Sequence, residues 1–180
     1  LVSAAVPAEL FALPNAAPDL ASLMSIEEIF TRLCPLVGSK FPDPGNDQER
    51  NRGAGLHQLV CDALGYSAYA DDGQFPDITH QLLEVKLQTA ATIDLGLVLP
   101  NSEEPLDISK MGGHQIRACD TRYAIFYGST DGTTVTVSHL FLTTGEEFFT
   151  RFTQFGGMVV NSKKQLHLPA DFFDPEAKPN

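Results

Sequence analysis

Apolar side chains recur at helical spacing from Ser25 onward. Ile26, Ile29, Phe30 and Leu33 share one face until Pro35, predicting an amphipathic helix opened by a Ser25–Glu28 capping box. Lys40 to Arg52, with Pro42, Pro44 and Gly45, reads as a polar loop. A second helix is predicted over 53–64, with Leu56, Leu59, Val60, Ala63 and Leu64 on one face and Gly65 at the C-terminal cap. The period then becomes extended. Tyr66 to Ala70 predicts a short strand, Asp71-Asp72-Gly73 a turn, and Asp77 to Gln88 a hairpin arm leading into a core strand. Ile93 to Leu99 predicts another strand, and 105–118 a helix weakened by Gly112-Gly113. Arg122 to Tyr127 and Thr133 to Leu140 predict paired strands around a Gly128–Gly132 loop. Thr144 with Glu147 opens a predicted helix carrying Phe148, Phe149, Phe152 and Phe155, and Met158 to Val160 and Gln165 to Leu168 predict short terminal strands. Residues 1–24, with Pro7, Pro14 and Pro18 among alanines, read as a linker or surface strap. The remainder, 25–180, is expected to be one α/β domain with a central mixed β-sheet flanked by helices.

A chain of 180 residues and 19.5 kDa, 43% hydrophobic and 19% charged, fits one such domain and excludes wholesale disorder. The net charge is −11. The excess is spread out, with 5 basic and 12 acidic side chains in 1–90 and 7 and 11 in 91–180. Nucleic-acid binding through bulk charge alone is therefore disfavoured. Cys34, Cys61 and Cys119 are too widely spaced for a disulfide framework or a structural zinc site. Cys34 and Cys61 fall on apolar helical patterns and are expected to be buried free thiols, which suits a reducing, cytoplasmic compartment. No apolar run is long enough to cross a bilayer, and the first residues lack the pattern of a signal peptide. The absence of an initial Met favours a domain of a longer protein.

The chemistry concentrates in Phe75-Pro76-Asp77 and Glu84-Val85-Lys86-Leu87-Gln88. On a strand, Leu83, Val85 and Leu87 point into a core, while Glu84, Lys86 and Gln88 line the opposite face. Acid and base on a strand built for burial are costly without partners. Asp77 can bend back towards the same face. Two carboxylates and an ammonium converging there can hold Mg²⁺ through oxygen ligands and place a water beside it. The same residues also suit a solvated strand edge, with Asp77 as a turn residue.

Pro76-Asp77, six intervening residues, then Glu84-Val85-Lys86 resembles the PD-(D/E)XK nuclease superfamily, to which most type II restriction endonucleases belong. The likeness spans about 50–128: an apolar-faced helix, a strand, a turn, the Pro-Asp and E-x-K strand, then a later helix and the apolar strand 122–127. It implies a restriction endonuclease-like fold and a Mg²⁺-dependent DNA endonuclease. Asp77 and Glu84 would ligate the metal, the Val85 carbonyl would complete the site, and Lys86 would orient or activate water. Gln88 joins them as a candidate contact to water or phosphate. Many relatives carry a metal-facing glutamate on the preceding helix, where this chain has His57 and Gln58. The recombination-associated exonucleases are similar in using a histidine there, making His57 a candidate ligand; Glu49 in the upstream loop is a second substitute.

His114 and Arg117, at i,i+3 on the predicted 105–118 helix, are candidate phosphate contacts. Arg50, Arg52 and Lys163-Lys164 are further candidates, and solvated charge is the alternative for each. The phenylalanines at 148, 149, 152 and 155 have a helical period and read as a packing face. The implied partner is double-stranded DNA, with a homodimer for two-strand cleavage and a recognition domain outside this chain as additions. The rival functions are a catalytically inactive, nuclease-fold module that binds DNA or protein, and a repair nickase or exonuclease domain.

Overall fold

The computed structural model describes residues 13–45, 49–69, 73–90, 92–96, 98–152 and 165–167, with the backbone alone for 49–52, 151 and 165–167. The chain is mixed α/β, built on a four-stranded mixed sheet. In chain order the elements are α1 (Ile26–Leu33), β1 (Lys40–Pro42), α2 (Glu49–Leu64), β2 (Leu83–Gln88), β3 (Thr92–Asp94), β4 (Arg122–Thr130), β5 (Thr134–Thr144), α3 (Phe148–Arg151) and β6 (Gln165–His167). The sheet runs β1-β5-β4-β2, and β3 pairs with β6 in a separate ribbon. β2 lies parallel to β4, while the β4–β5 and β1–β5 pairs are antiparallel.

Helix starts and stops follow local chemistry. Ser25 Oγ accepts the Glu28 amide at 3.2 Å, but the Glu28 carboxylate turns to Arg32 instead of completing a capping box. α2 ends in a Schellman closure: the Tyr66 amide reaches the Cys61 carbonyl, and Gly65 takes a φ of +94°. One face of the sheet is sealed by α1 and α2, through Ile29, Leu33, Leu56, Val60 and Leu64 against Leu83, Ala124, Phe126 and Val137. The other face carries Tyr123 and Ile125 with Ile93, Leu95, Phe148 and Phe152. Phe148 stacks on Phe152 and meets Tyr123 edge-on, so this part of the phenylalanine set packs a core. Among the described residues no helix is long and apolar enough to cross a membrane.

Several expectations are corrected. Tyr66 to Tyr69 is not a strand; Tyr66 turns inward and its hydroxyl bonds His80 Nδ1 at 2.9 Å. The 105–118 segment is not a helix but an irregular excursion, pinched by bridges between Pro105 and Arg117 and between Met111 and His114. Gly112 and Gly113 both take positive φ, which breaks a helical path, and of 105–115 no residue is buried to pull one onto the core. The loop 40–52 contains β1 and the first turn of α2. The 93–99 strand shrinks to β3 because Asp94 Oδ1 caps the Gly96 amide in a turn. β4 and β5 are longer than expected, with a bulge after Tyr127 at which a Cβ on Gly128 would sit 2.9 Å from the Thr136 carbonyl. Cys34 is exposed, not buried, because it lies beyond the apolar face of α1; Cys61 is buried. Thr144 Oγ1 accepts the Glu147 amide as a helix start, yet α3 holds a single turn. The predicted strand at 158–160 lies outside the described residues, as does Phe155.

Candidate functional site

Among the described strands, β2 ends the sheet and pairs with β4 alone. Leu83, Val85 and Leu87 pack into the α1/α2 core. Glu84, Lys86 and Gln88 therefore occupy the other face, in register with Tyr123, Ile125 and Tyr127 of β4. An exposed strand edge ordinarily leaves its amides unpaired. Here the chain before β2 covers that edge. Ile78 and Leu83 exchange both backbone bonds in an antiparallel bridge, around a tight turn at Thr79–Gln81 and a left-handed Leu82 (φ +48°). Thr79 Oγ1 donates to the Pro76 carbonyl within the same turn.

That turn brings Asp77 back over the strand. The Val85 amide donates to Asp77 Oδ2 at 2.9 Å, and the Asp77 amide donates to Glu84 Oε2 at 3.1 Å. Lys86 Nζ lies 2.7 Å from Glu84 Oε1. Asp77, Glu84 and Lys86 are thus brought together at one edge of the sheet. The Glu84 side chain is 7% exposed and that of Lys86 24%, so a buried carboxylate is paired with a lysine that keeps partial contact with solvent. Gln88 is buried farther along the same face. A residue's N–H and C=O leave a strand on the same side, so the Val85 carbonyl points to the edge where its amide meets Asp77.

Electrostatics follow from this packing. Burial works against the Lys86 charge, but Glu84, then Asp77 and Asp94, outweigh it and raise its proton affinity above the ordinary lysine value. Tyr123 is pushed upward by burial and then by the Glu84 charge. Asp94 is a carboxylate the sequence reading missed; its field reaches Lys86 because β3 runs beside β2. No spacing in the sequence pointed towards it.

The remaining candidates are placed elsewhere or engaged differently. His57 is buried on α2 with Nε2 3.4 Å from Cys61 Sγ. Burial, with the charges of Asp62 and Asp77, pushes that thiol up to about 12. Gln58, the other helix candidate, is exposed, and Glu49 begins α2. Among the described residues, no three His, Cys, Asp or Glu side chains form a metal-holding group. Arg50 and Arg52 lie on the first turn of α2 rather than in a loop, and their side chains are outside the described set. His114 is exposed in the 111–114 turn, and Arg117 pairs with Asp120 at 3.2 Å, so the two do not share a helix face. Lys163 and Lys164 lie outside the described residues.

A buried polar network behind the site was not foreseen. Arg122 Nη1 donates to the Met24 carbonyl at 2.5 Å, and Nη2 donates to the Gln81 carbonyl and, at 3.4 Å, to its side-chain oxygen. Gln81 is fully buried and is also held by the Met24 amide and the Ser22 carbonyl, both at 2.9 Å. Burial lowers the Arg122 pKa to about 10, with Tyr66 opposing, so it remains a cation at neutral pH. The 13–24 segment is thereby tied to the site's turn, with the Pro14 carbonyl accepting the His80 amide.

Comparison with family models, with curated proteins and with solved structures finds no match to the chain.

Proposed function

We propose that the chain is a Mg²⁺-dependent DNA endonuclease of restriction-enzyme type, with a fold related to those enzymes, acting on double-stranded DNA through Asp77, Glu84 and Lys86. The supporting observation is the convergence of these three side chains at one sheet edge, through the Asp77–Val85, Asp77–Glu84 and Glu84–Lys86 contacts. The parallel pairing of the E-x-K strand with the apolar strand 122–130 adds to it. The lack of a strand at 66–69 and of a helix at 105–118 subtracts from the likeness.

The donor set fits the proposed metal. Mg²⁺ prefers hard oxygen ligands and is commonly held by one or two carboxylates with water and substrate phosphate completing the shell. Asp77 and Glu84 would hold it, with the Val85 carbonyl at the same edge. Carboxylate oxygens accept more than one bond, so the contacts within the chain leave ligating capacity. When bound, the ion supplies charge neutralisation at a phosphate oxygen and lowers the proton affinity of water. The protein's own part is positional. Lys86, kept charged by its carboxylate neighbours, donates to a phosphate oxygen or to the lone pair of the attacking water. Tyr123 and Ile125, buried and beside Glu84 and Lys86 on the neighbouring strand, keep water from that flank, which strengthens those contacts. Two such sites in a homodimer would cut both strands, and the acidic chain would rely on local cations such as Arg50, Arg52, His114 and Arg117 or on a recognition domain outside it.

The test is cleavage of supercoiled plasmid and of methylated and unmethylated genomic DNA, with Mg²⁺ or with EDTA. The expected result is metal-dependent cutting lost in Asp77→Ala, Glu84→Ala and Lys86→Ala. DNA binding without cutting on every substrate would replace the proposal with a binding module.

A further inference from the structure

Asp77 reaches Glu84 and Val85 only because the chain reverses between Ile78 and Leu83. That reversal contains a non-glycine residue at positive φ, Leu82, a conformation that persists only where its surroundings hold it. Arg122 grips the turn from behind. Arg122 is buried, 7% exposed as a residue, and its guanidinium donates to neutral oxygens: the carbonyls of Met24 and Gln81 and the Gln81 side chain. Its own amide donates to the Leu82 carbonyl at 2.7 Å. A buried cation with neutral acceptors is an expensive choice for mere packing, since an apolar side chain would fill the space without desolvation.

We propose that Arg122 is a positioning residue for the candidate site, fixing the 78–83 turn through Gln81 so that Asp77 stays bonded to Val85. The Ser22–Met24 segment is part of the same device, because Gln81 is held by both of its ends. The inference rests on the hydrolase proposal for its functional consequence, but its geometric content is separable.

Two measurements on the full chain test it. In the first, hydrogen exchange is followed by NMR in the wild type, Arg122→Met and Arg122→Lys. Arg122→Met is expected to speed exchange of the Val85 and Asp77 amides at least about tenfold, with the β4 amides of Ala124 and Phe126 unchanged and Arg122→Lys intermediate. Wild-type rates at Val85 and Asp77, or a uniform rise across the chain, overturn the proposal. If Arg122→Met does not fold, Arg122→Lys and Gln81→Met carry the same comparison. In the second, the Mg²⁺ concentration for half-maximal plasmid cleavage is measured. A rise of about tenfold in Arg122→Met, partly restored by Lys, is expected for a positioning role. An unchanged Mg²⁺ requirement in folded Arg122→Met overturns the proposal while leaving the hydrolase intact. A wild type that never cuts removes the hydrolase proposal, and the exchange data then decide the positioning role alone.

Discussion

The amide of Val85 donates to Oδ2 of Asp77 at 2.9 Å, so the exposed edge of β2 is closed by a carboxylate eight residues earlier. The bond gives Asp77 a structural duty besides the proposed catalytic one, and two substitutions separate them. Asp77→Asn keeps an oxygen acceptor for Val85 but loses the charge. Plasmid cleavage should fall about 10²–10³-fold with little change in melting temperature. Asp77→Ala should lose activity equally and cost a further ~1 kcal/mol in urea denaturation, because a half-buried amide loses its partner. Wild-type cleavage rates in both variants would remove Asp77 from the site.

The three thiols should differ sharply in reactivity. Cys34 is exposed, whereas Cys61 is buried with its thiol pushed up to about 12, and Cys119 is buried and also raised. Reaction depends on both access and thiolate. Ellman's reagent at pH 8 should therefore label one thiol rapidly in the native protein and all three after denaturation. Labelling at Cys61 should be at least about 10²-fold slower than at Cys34. Rapid native labelling of Cys61, located by peptide mapping, would contradict the packing of α2 on the sheet.

The same contrast marks how far the sequence could be read. Strand alternation placed Leu83, Val85 and Leu87 in a core and Glu84 and Lys86 opposite, because the pleat alone dictates it. The α1 and α2 faces and the β4–β5 hairpin were legible for the same reason: their periodicity is local. What escaped depended on distant partners. Tyr66 left its extended pattern to bond His80, and Arg122 buried its charge against carbonyls 41 and 98 residues away. The 105–118 helix failed where Gly112 and Gly113 outweighed a weak apolar pattern. Asp94 joined the field around Lys86 through the placement of β3, which no spacing rule encodes.

His80 predicts an acid-sensitive contribution to stability. Its Nδ1 meets the Tyr66 hydroxyl at 2.9 Å and its Nε2 the Ser22 hydroxyl at 3.0 Å, while burial lowers its pKa below 6.5, with Asp19 opposing. The unfolded chain therefore takes up the proton first as pH falls. The stabilisation is complete above about pH 6.5, declines as pH drops towards the folded-state value, and is lost below it. Melting temperatures from pH 8 to 5 should show this loss, and His80→Gln should flatten that part of the curve. An imidazole titration at or above 6.5 in the native protein would refute the assignment.

The Glu84–Lys86 contact allows stability and activity to be moved in opposite directions. Glu84 is buried and Lys86 only partly so, at 2.7 Å. Removing one partner of a fully buried pair costs about 3–5 kcal/mol, because the other charge is stranded. Lys86 retains contact with solvent, so Glu84→Gln alone should cost only ~1–2 kcal/mol. Replacing both, as Glu84→Gln with Lys86→Met, removes the stranded charge, keeps an oxygen acceptor for the Asp77 amide and sets an apolar group beside Ile125. The double variant should regain most of the lost stability in urea denaturation, within ~1 kcal/mol of wild type. Its DNA cleavage should nonetheless be abolished, since both a proposed metal ligand and the proposed phosphate donor are gone. If stability and cleavage instead recover together, the pair is structural and the site lies elsewhere.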